Sequence, residues 1–223
     1  MKRAKWAVMI LLAFGLGAPL SVSAEDQGTT GEVSTAEASA PVAAERRQAS
    51  TLTFDRERSK LDWISEAPAE KIVGTAEQVS GSVSWDLQNL EATQGEILIP
   101  VESMKSGNSL RDRHLRGRDW LQSRDNPNII FRLRGLEDVE RTEQDDQIRV
   151  EAVAVGTIEV NGEEAETRAR ISLAILPGTK RVRIQPEFQV RLGEHNVRGR
   201  RGSIGNEVGE SIDISGVLYG SWE

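Results

Sequence analysis

The chain carries 28 Lys+Arg against 35 Asp+Glu over 223 residues, a formal net charge of −7, and has no cysteine. The acidic balance argues against a nucleic-acid partner, which rewards a basic footprint. The missing thiols exclude a disulfide framework, a cysteine nucleophile and thiolate metal sites, so stability has to come from an apolar core.

Residues 1–24 have the layout of a secretory signal peptide: Lys2, Arg3 and Lys5, then apolar Trp6 to Leu20, then Val22-Ser23-Ala24 as a small-residue cleavage site. An uncleaved anchor is the alternative, but Gly15, Gly17 and Pro19 interrupt an apolar run already short of the ~20 residues a spanning helix needs. Cleavage near Ala24 leaves 25 basic against 35 acidic residues, net −10, in a periplasmic or secreted product. Residues 25–50 are rich in Ala, Ser, Thr, Glu and Gly, lack aromatics and show no periodicity, as expected of a disordered linker. One domain is expected over residues 51–223.

Within that domain apolar residues recur with period two, the mark of half-buried strands. Leu52 and Phe54 alternate, then Leu61 and Trp63; after a break at Ala67-Pro68 come Ile72 and Val73. Val79, Gly81, Val83, Trp85 and Leu87 share one face, and Gly95, Ile97, Ile99 and Val101 repeat it. Residues 107–131 interrupt the pattern with a short arginine-rich helical stretch, N-capped at Asn108 or Ser109 and closed at Gly117. Pro127 then reopens an extended pattern at Ile129, Phe131 and Leu133.

The second half alternates from Ile148 to Val160, turns at Asn161-Gly162, whose positive φ angles suit a two-residue hairpin, and returns from Ala165 to Ile175. Pro177-Gly178 turns again into Val182, Ile184, Pro186, Phe188, Val190 and Leu192. A Gly/Arg-rich loop over 193–209 precedes a closing strand around Ile212, Ile214 and Leu218. Such strands form either a two-sheet sandwich or a barrel. Tight turns in simple succession favour an antiparallel, eight-stranded up-and-down barrel, wide enough to fill with side chains or to hold one small ligand.

The order of these features resembles the YceI-like family of exported, lipocalin-shaped proteins that bind polyisoprenoid and related amphiphilic lipids. The resemblance rests on Val79-Ser80-Gly81-Ser82-Val83-Ser84-Trp85-Asp86, on Arg111-Asp112, Leu115-Arg116 and Asp119-Trp120-Leu121, on Asn126-Pro127 and Phe131, and on Gly156 through Gly162. Where the family often carries histidine, this chain has Ile64-Ser65-Glu66 and Asn161 instead. The resemblance implies a lipocalin-like barrel whose ligand is a long isoprenoid such as a polyprenyl quinone, held without covalent chemistry. It also implies an isoprenoid or amphiphilic lipid as partner, with transient membrane contact and a homodimer left open.

On that reading the ligand would be lined by Trp63, Val83, Trp85, Ile97, Ile99, Phe131, Ile158, Ile171, Leu173, Ile184, Phe188 and Val190 on the strands and by Leu115, Trp120 and Leu121 on the insert. The same face can equally be a filled core, which would suit an envelope protein-interaction module. Small residues on it, among them Gly81, Gly95, Ala152, Ala154 and Gly156, are expected to leave room inside. The insert arginines either meet a polar head group or pair with Asp112, Asp119, Asp125 and neighbouring acids, and Arg/Asp pairs between Arg111 and Asp119 would clamp the insert to the barrel. Only His114 and His195 could serve acid–base chemistry, and no metal or nucleophile motif is present, so no catalytic or metal-ligating residue is expected. A hydrolase or isomerase would need one of those histidines facing inward beside a carboxylate.

Overall fold

The computed structural model describes residues 49–223, so the signal-peptide reading and all but the end of the linker reading lie outside the described residues. Ten strands follow in chain order: β1 (Ser50–Phe54), β2 (Lys60–Glu66), β3 (Lys71–Ala76), β4 (Ser80–Trp85), β5 (Gln94–Pro100), β6 (Asn128–Gln144), β7 (Gln147–Val160), β8 (Glu163–Leu176), β9 (Arg181–Arg191) and β10 (Ser211–Trp222). One α-helix, α1 (Ser109–Leu115), lies between β5 and β6.

All pairings between the ten strands are antiparallel, and each long strand meets its chain neighbour from β5 to β10. The remaining edge of β10 is shared. Its second half pairs β1 (Phe54 opposite Gly220) and its first half pairs β2 (Leu61 opposite Gly216), so β1 and β2 are one barrel strand broken at residues 55–59. β4 pairs β1 and β3 pairs β2 in the same way, which makes β3 and β4 a second strand broken at residues 77–79. The ten segments therefore close an eight-stranded up-and-down barrel, the expected fold class.

Buried hydroxyls tie down both breaks. Ser59 Oγ accepts the Tyr219 N–H at 3.0 Å and donates to the Tyr219 carbonyl at 3.3 Å, pinning the first break to β10. Arg58 covers the Tyr219 ring at 4.2 Å, and Asp55 accepts from the Glu57 and Arg58 amides. At the second break Gln78 adopts a positive φ, while Ser103 Oγ accepts the Glu77 N–H and donates to the Pro100 carbonyl. A buried polar group costs stability unless it is bonded, and each of these hydroxyls is used as donor and as acceptor.

Alternation holds as expected along β7 and β8, whose inward residues from Ile148 to Val160 and from Ala169 to Ile175 are buried. Asn161 and Gly162 both have positive φ, as the two-residue hairpin requires. Three expectations change. β6 extends well past the pattern at Ile129, Phe131 and Leu133, to Gln144; bulges after Leu133 and after Glu137 reset the face, so that Leu136 and Val139 turn inward. The helix is capped by Asn108, whose Oδ1 accepts from Leu110 and Arg111 N–H, but its C-cap is Arg116 in right-handed geometry rather than Gly117. Thirdly, Gly81, Gly95 and Gly156 open no interior space, because a Cβ on any of them would strike the backbone of the neighbouring strand. Their smallness lets strongly coiled strands pass close together.

Outside, Arg132 on β6 gathers Glu159 at 2.9 Å, Glu96 at 3.4 Å and Glu164 at 3.6 Å from three strands. The hydrogen bond to Glu159, with the surrounding carboxylates, holds this guanidinium above its ordinary range. At one end of the interior Trp85 and Trp222 meet edge to face, ring centroids 4.6 Å apart.

Candidate functional site

Up-and-down winding sends the turns to alternate ends of the barrel. The turn at 67–70, the insert, the Asn161-Gly162 hairpin and the loop before β10 all lie at the end away from Trp85 and Trp222. Arg111 Nη2 reaches Glu70 at 2.8 Å, tying α1 to the first of these. Arg116 donates to the carbonyls of Glu102 and Met104 at 3.0 Å and pairs with the Glu102 carboxylate, and Asp112 accepts from the N–H and Oγ of Ser106. Arg111 and Arg116 thus clamp the insert, pairing with the neighbouring acids Glu70 and Glu102 rather than with Asp112, Asp119 or Asp125.

The insert in turn grips the last loop. Arg200 Nη2 donates to His114 Nε2 at 2.8 Å, and Gly199 N–H donates to the Asp119 carbonyl at 2.8 Å. Gly199 has φ +63° and a Cβ there would lie 3.0 Å from the Trp120 ring, so only glycine fits that contact without strain. Gln122 Nε2 donates to Asn161 Oδ1 at 2.8 Å, and Asn161 Nδ2 to the His195 carbonyl at 3.3 Å. Ser65 Oγ accepts the Gly209 N–H at 2.9 Å and fixes the loop to β2.

Beneath this cover lies an apolar cavity of about 260 Å³. It contains Trp63, Ile99, Ile158, Phe188 and Val190 from the strands and Leu115, Trp120 and Leu121 from the insert. A second, smaller void of about 90 Å³ sits deeper in the barrel and contains Val83, Trp85, Ile97, Phe131, Ile171, Leu173 and Ile184, again with Ile99 and Phe188. The candidate ligand residues are therefore divided between two chambers rather than lining one tunnel.

Leu61, Ile129, Ile212 and Ile214 also line the larger cavity, and their strand alternation was a usable signal. Met104, Val197 and Val208 line it too, from connecting segments that have no periodicity to reveal them. Glu70, Arg111, His114, Arg200 and Glu207 supply charged or polar lining at the insert end. Arg111 and Arg200 balance Glu70 and Glu207, so these four side chains offer the rim hydrogen bonds at no net charge.

The two histidines are not brought together. His195 is buried at the start of the last loop, outside the cavity lining, with Nδ1–H donating to the Glu163 carbonyl at 2.8 Å. His114 does line the cavity, held by Arg200. Among the described residues no group of three or more His, Cys, Asp or Glu is placed to hold a metal ion.

A closed meander with an apolar chamber capped by an insert defines a small-ligand-type barrel. The YceI-like domain model matches residues 48–218, and the chain belongs to that family. Among solved structures, Burkholderia cenocepacia BcnA is similar at a TM-score of 0.61 and 15% identity, over 74% of this chain and 98% of that one. A polyisoprenoid binding domain from Saccharophagus degradans, implicated in plant cell wall breakdown, gives 0.58 and 14% over 77% and 98%. The Campylobacter jejuni YCEI protein gives 0.55 and 14% over 71% and 88%. At these identities the likeness is one of fold. No curated protein matches the chain.

Proposed function

We propose that the protein is an exported, non-enzymatic carrier that holds the hydrocarbon chain of an isoprenoid or similar amphiphilic lipid inside the barrel, with the polar end at the insert rim. The observation that carries this reading is the apolar cavity of about 260 Å³ under the insert, ringed at that end by Glu70, Arg111, His114, Arg200 and Glu207. Family membership and a structural neighbour described as a polyisoprenoid binding domain support the ligand class. Export into the periplasm or beyond is supported by the pattern of residues 1–24. The position of His195 outside the cavity and the engagement of His114 by Arg200 favour binding without chemistry. A polyprenyl quinone remains a candidate occupant, and a filled-core interaction module suits the two internal voids less well.

The cavity volume limits how much chain is enclosed. At roughly 30 Å³ per carbon group, the share a similarly sized water molecule takes in the liquid, it accepts about nine chain carbons. Burying nine at ~0.8 kcal/mol each contributes about 7 kcal/mol relative to water, which by itself corresponds to affinity between millimolar and micromolar. The remainder of a long chain has to stay in a membrane or reach deeper, which suits a carrier exchanging with lipid bilayers.

Native mass spectrometry of the protein purified from its own envelope, followed by solvent extraction, is the test. A stoichiometric amphiphile is expected; an empty protein after incubation with membranes overturns the proposal.

A further inference from the structure

The two chambers share three lining residues: Leu61 on β2, Ile99 on β5 and Phe188 on β9. Each strand passes from one chamber to the other at that residue. On β9, Ile184 and Pro186 line only the deep void, Val190 only the outer cavity, and Phe188 lines both. On β5, Ile97 belongs to the deep void and Ile99 to both. The first barrel strand behaves alike, with Leu52 and Phe54 deep, Leu61 shared, and Trp63 in the outer cavity. β10 passes this level at Gly216, opposite Leu61, where it offers no side chain. The barrel is therefore constricted at one level by side chains from three separated strands.

Phe188 differs from its neighbours in that constriction. Leu61 and Ile99 are buried, at 7% and 6% exposure, and Ile99 is β-branched and stiff. Among the inward residues of β9, Val182, Ile184, Pro186 and Val190 are buried while Phe188 is only half-buried, although Glu187 and Gln189 occupy the outer face. Its ring borders the empty space on either side.

Resting on the carrier reading, we infer that Phe188 is the residue that sets chain length: it separates the chambers, and a chain longer than the outer cavity gains binding only when the ring is displaced. Outer cavity and deep void together hold about 350 Å³ before any contribution from the ring itself. Turning Phe188 aside makes the space down to Trp85 and Phe131 continuous.

The test compares geraniol, farnesol and geranylgeraniol as competitors of a fluorescent hydrophobic dye in the wild type, Phe188→Ala, Phe188→Leu and Phe188→Trp. In the wild type affinity should rise little from geraniol to geranylgeraniol. Phe188→Ala should raise the geranylgeraniol-to-geraniol affinity ratio about tenfold, Phe188→Leu by a smaller factor, and Phe188→Trp should leave it flat. Phe188→Leu also gives the answer if the alanine variant does not fold. Normal geraniol binding with an unchanged ratio in both smaller variants overturns the inference and leaves the carrier reading standing. Absence of binding of all three alcohols to the wild type overturns both.

Discussion

Arg200 and His114, 86 residues apart in sequence, meet through a 2.8 Å hydrogen bond from the guanidinium Nη2 to the imidazole Nε2 and close the last loop onto the insert. The guanidinium donates to a ring nitrogen, a contact that holds position without forming an ion pair. It lies at the rim of the cavity, so its strength bears on access more than on folding.

Arg200→Ala and His114→Ala should each speed release of a bound hydrophobic probe about threefold to tenfold, the effect of losing roughly 1 kcal/mol of net hydrogen bonding. The double variant should be no faster than either single one. Stopped-flow dilution measures this, with thermal midpoints close to that of the wild type; additive effects of the two substitutions would show that the contact is not the latch.

Ser59→Ala removes a buried hydroxyl that both accepts from the Tyr219 N–H and donates to its carbonyl, orphaning groups on β10. A loss of about 1–3 kcal/mol in urea unfolding is expected. The Tyr219 amide should lose hydrogen-exchange protection before those of β7 and β8. Uniform loss across the barrel would count against a local role.

Trp222→Ala takes away the partner of Trp85 at the deep end, where β10 meets the opening strand. Trp222 is only partly buried, so the expected cost is about 2 kcal/mol, below the ~3–5 kcal/mol of a fully buried tryptophan. Denaturant midpoint and near-ultraviolet circular dichroism read it, and an unchanged midpoint would contradict a stabilising contact between the two rings.

Gly74→Ala should be costly for a reason no sequence pattern shows: its Cβ would overlap the Trp63 indole and the Lys105 carbonyl. Both the ring, which lines the outer cavity, and the Lys105 backbone must shift. A loss of about 1–3 kcal/mol is expected, as for other overpacked cores, with altered tryptophan fluorescence and weaker probe binding. Wild-type binding together with wild-type stability would refute this placement of Trp63.

The sequence by itself determined the class of fold, because a period-two pattern commits each strand to one inward face and Asn161-Gly162 specifies its turn. It also indicated the helical insert, through Asn108 and the loss of alternation after it. It left the second half of β6 unread, since the charged run from Glu137 to Gln144 conceals a paired strand whose bulges shift the face. Only the tertiary structure decided that Gly81, Gly95 and Gly156 serve strand crossing rather than cavity space, because the atoms they make way for belong to other strands. It alone joined His114 to Arg200 and divided the interior at Leu61, Ile99 and Phe188. Alternation tells which side chains point inward; how far each reaches across the barrel depends on strand stagger and on residues distant in sequence, which no local pattern encodes.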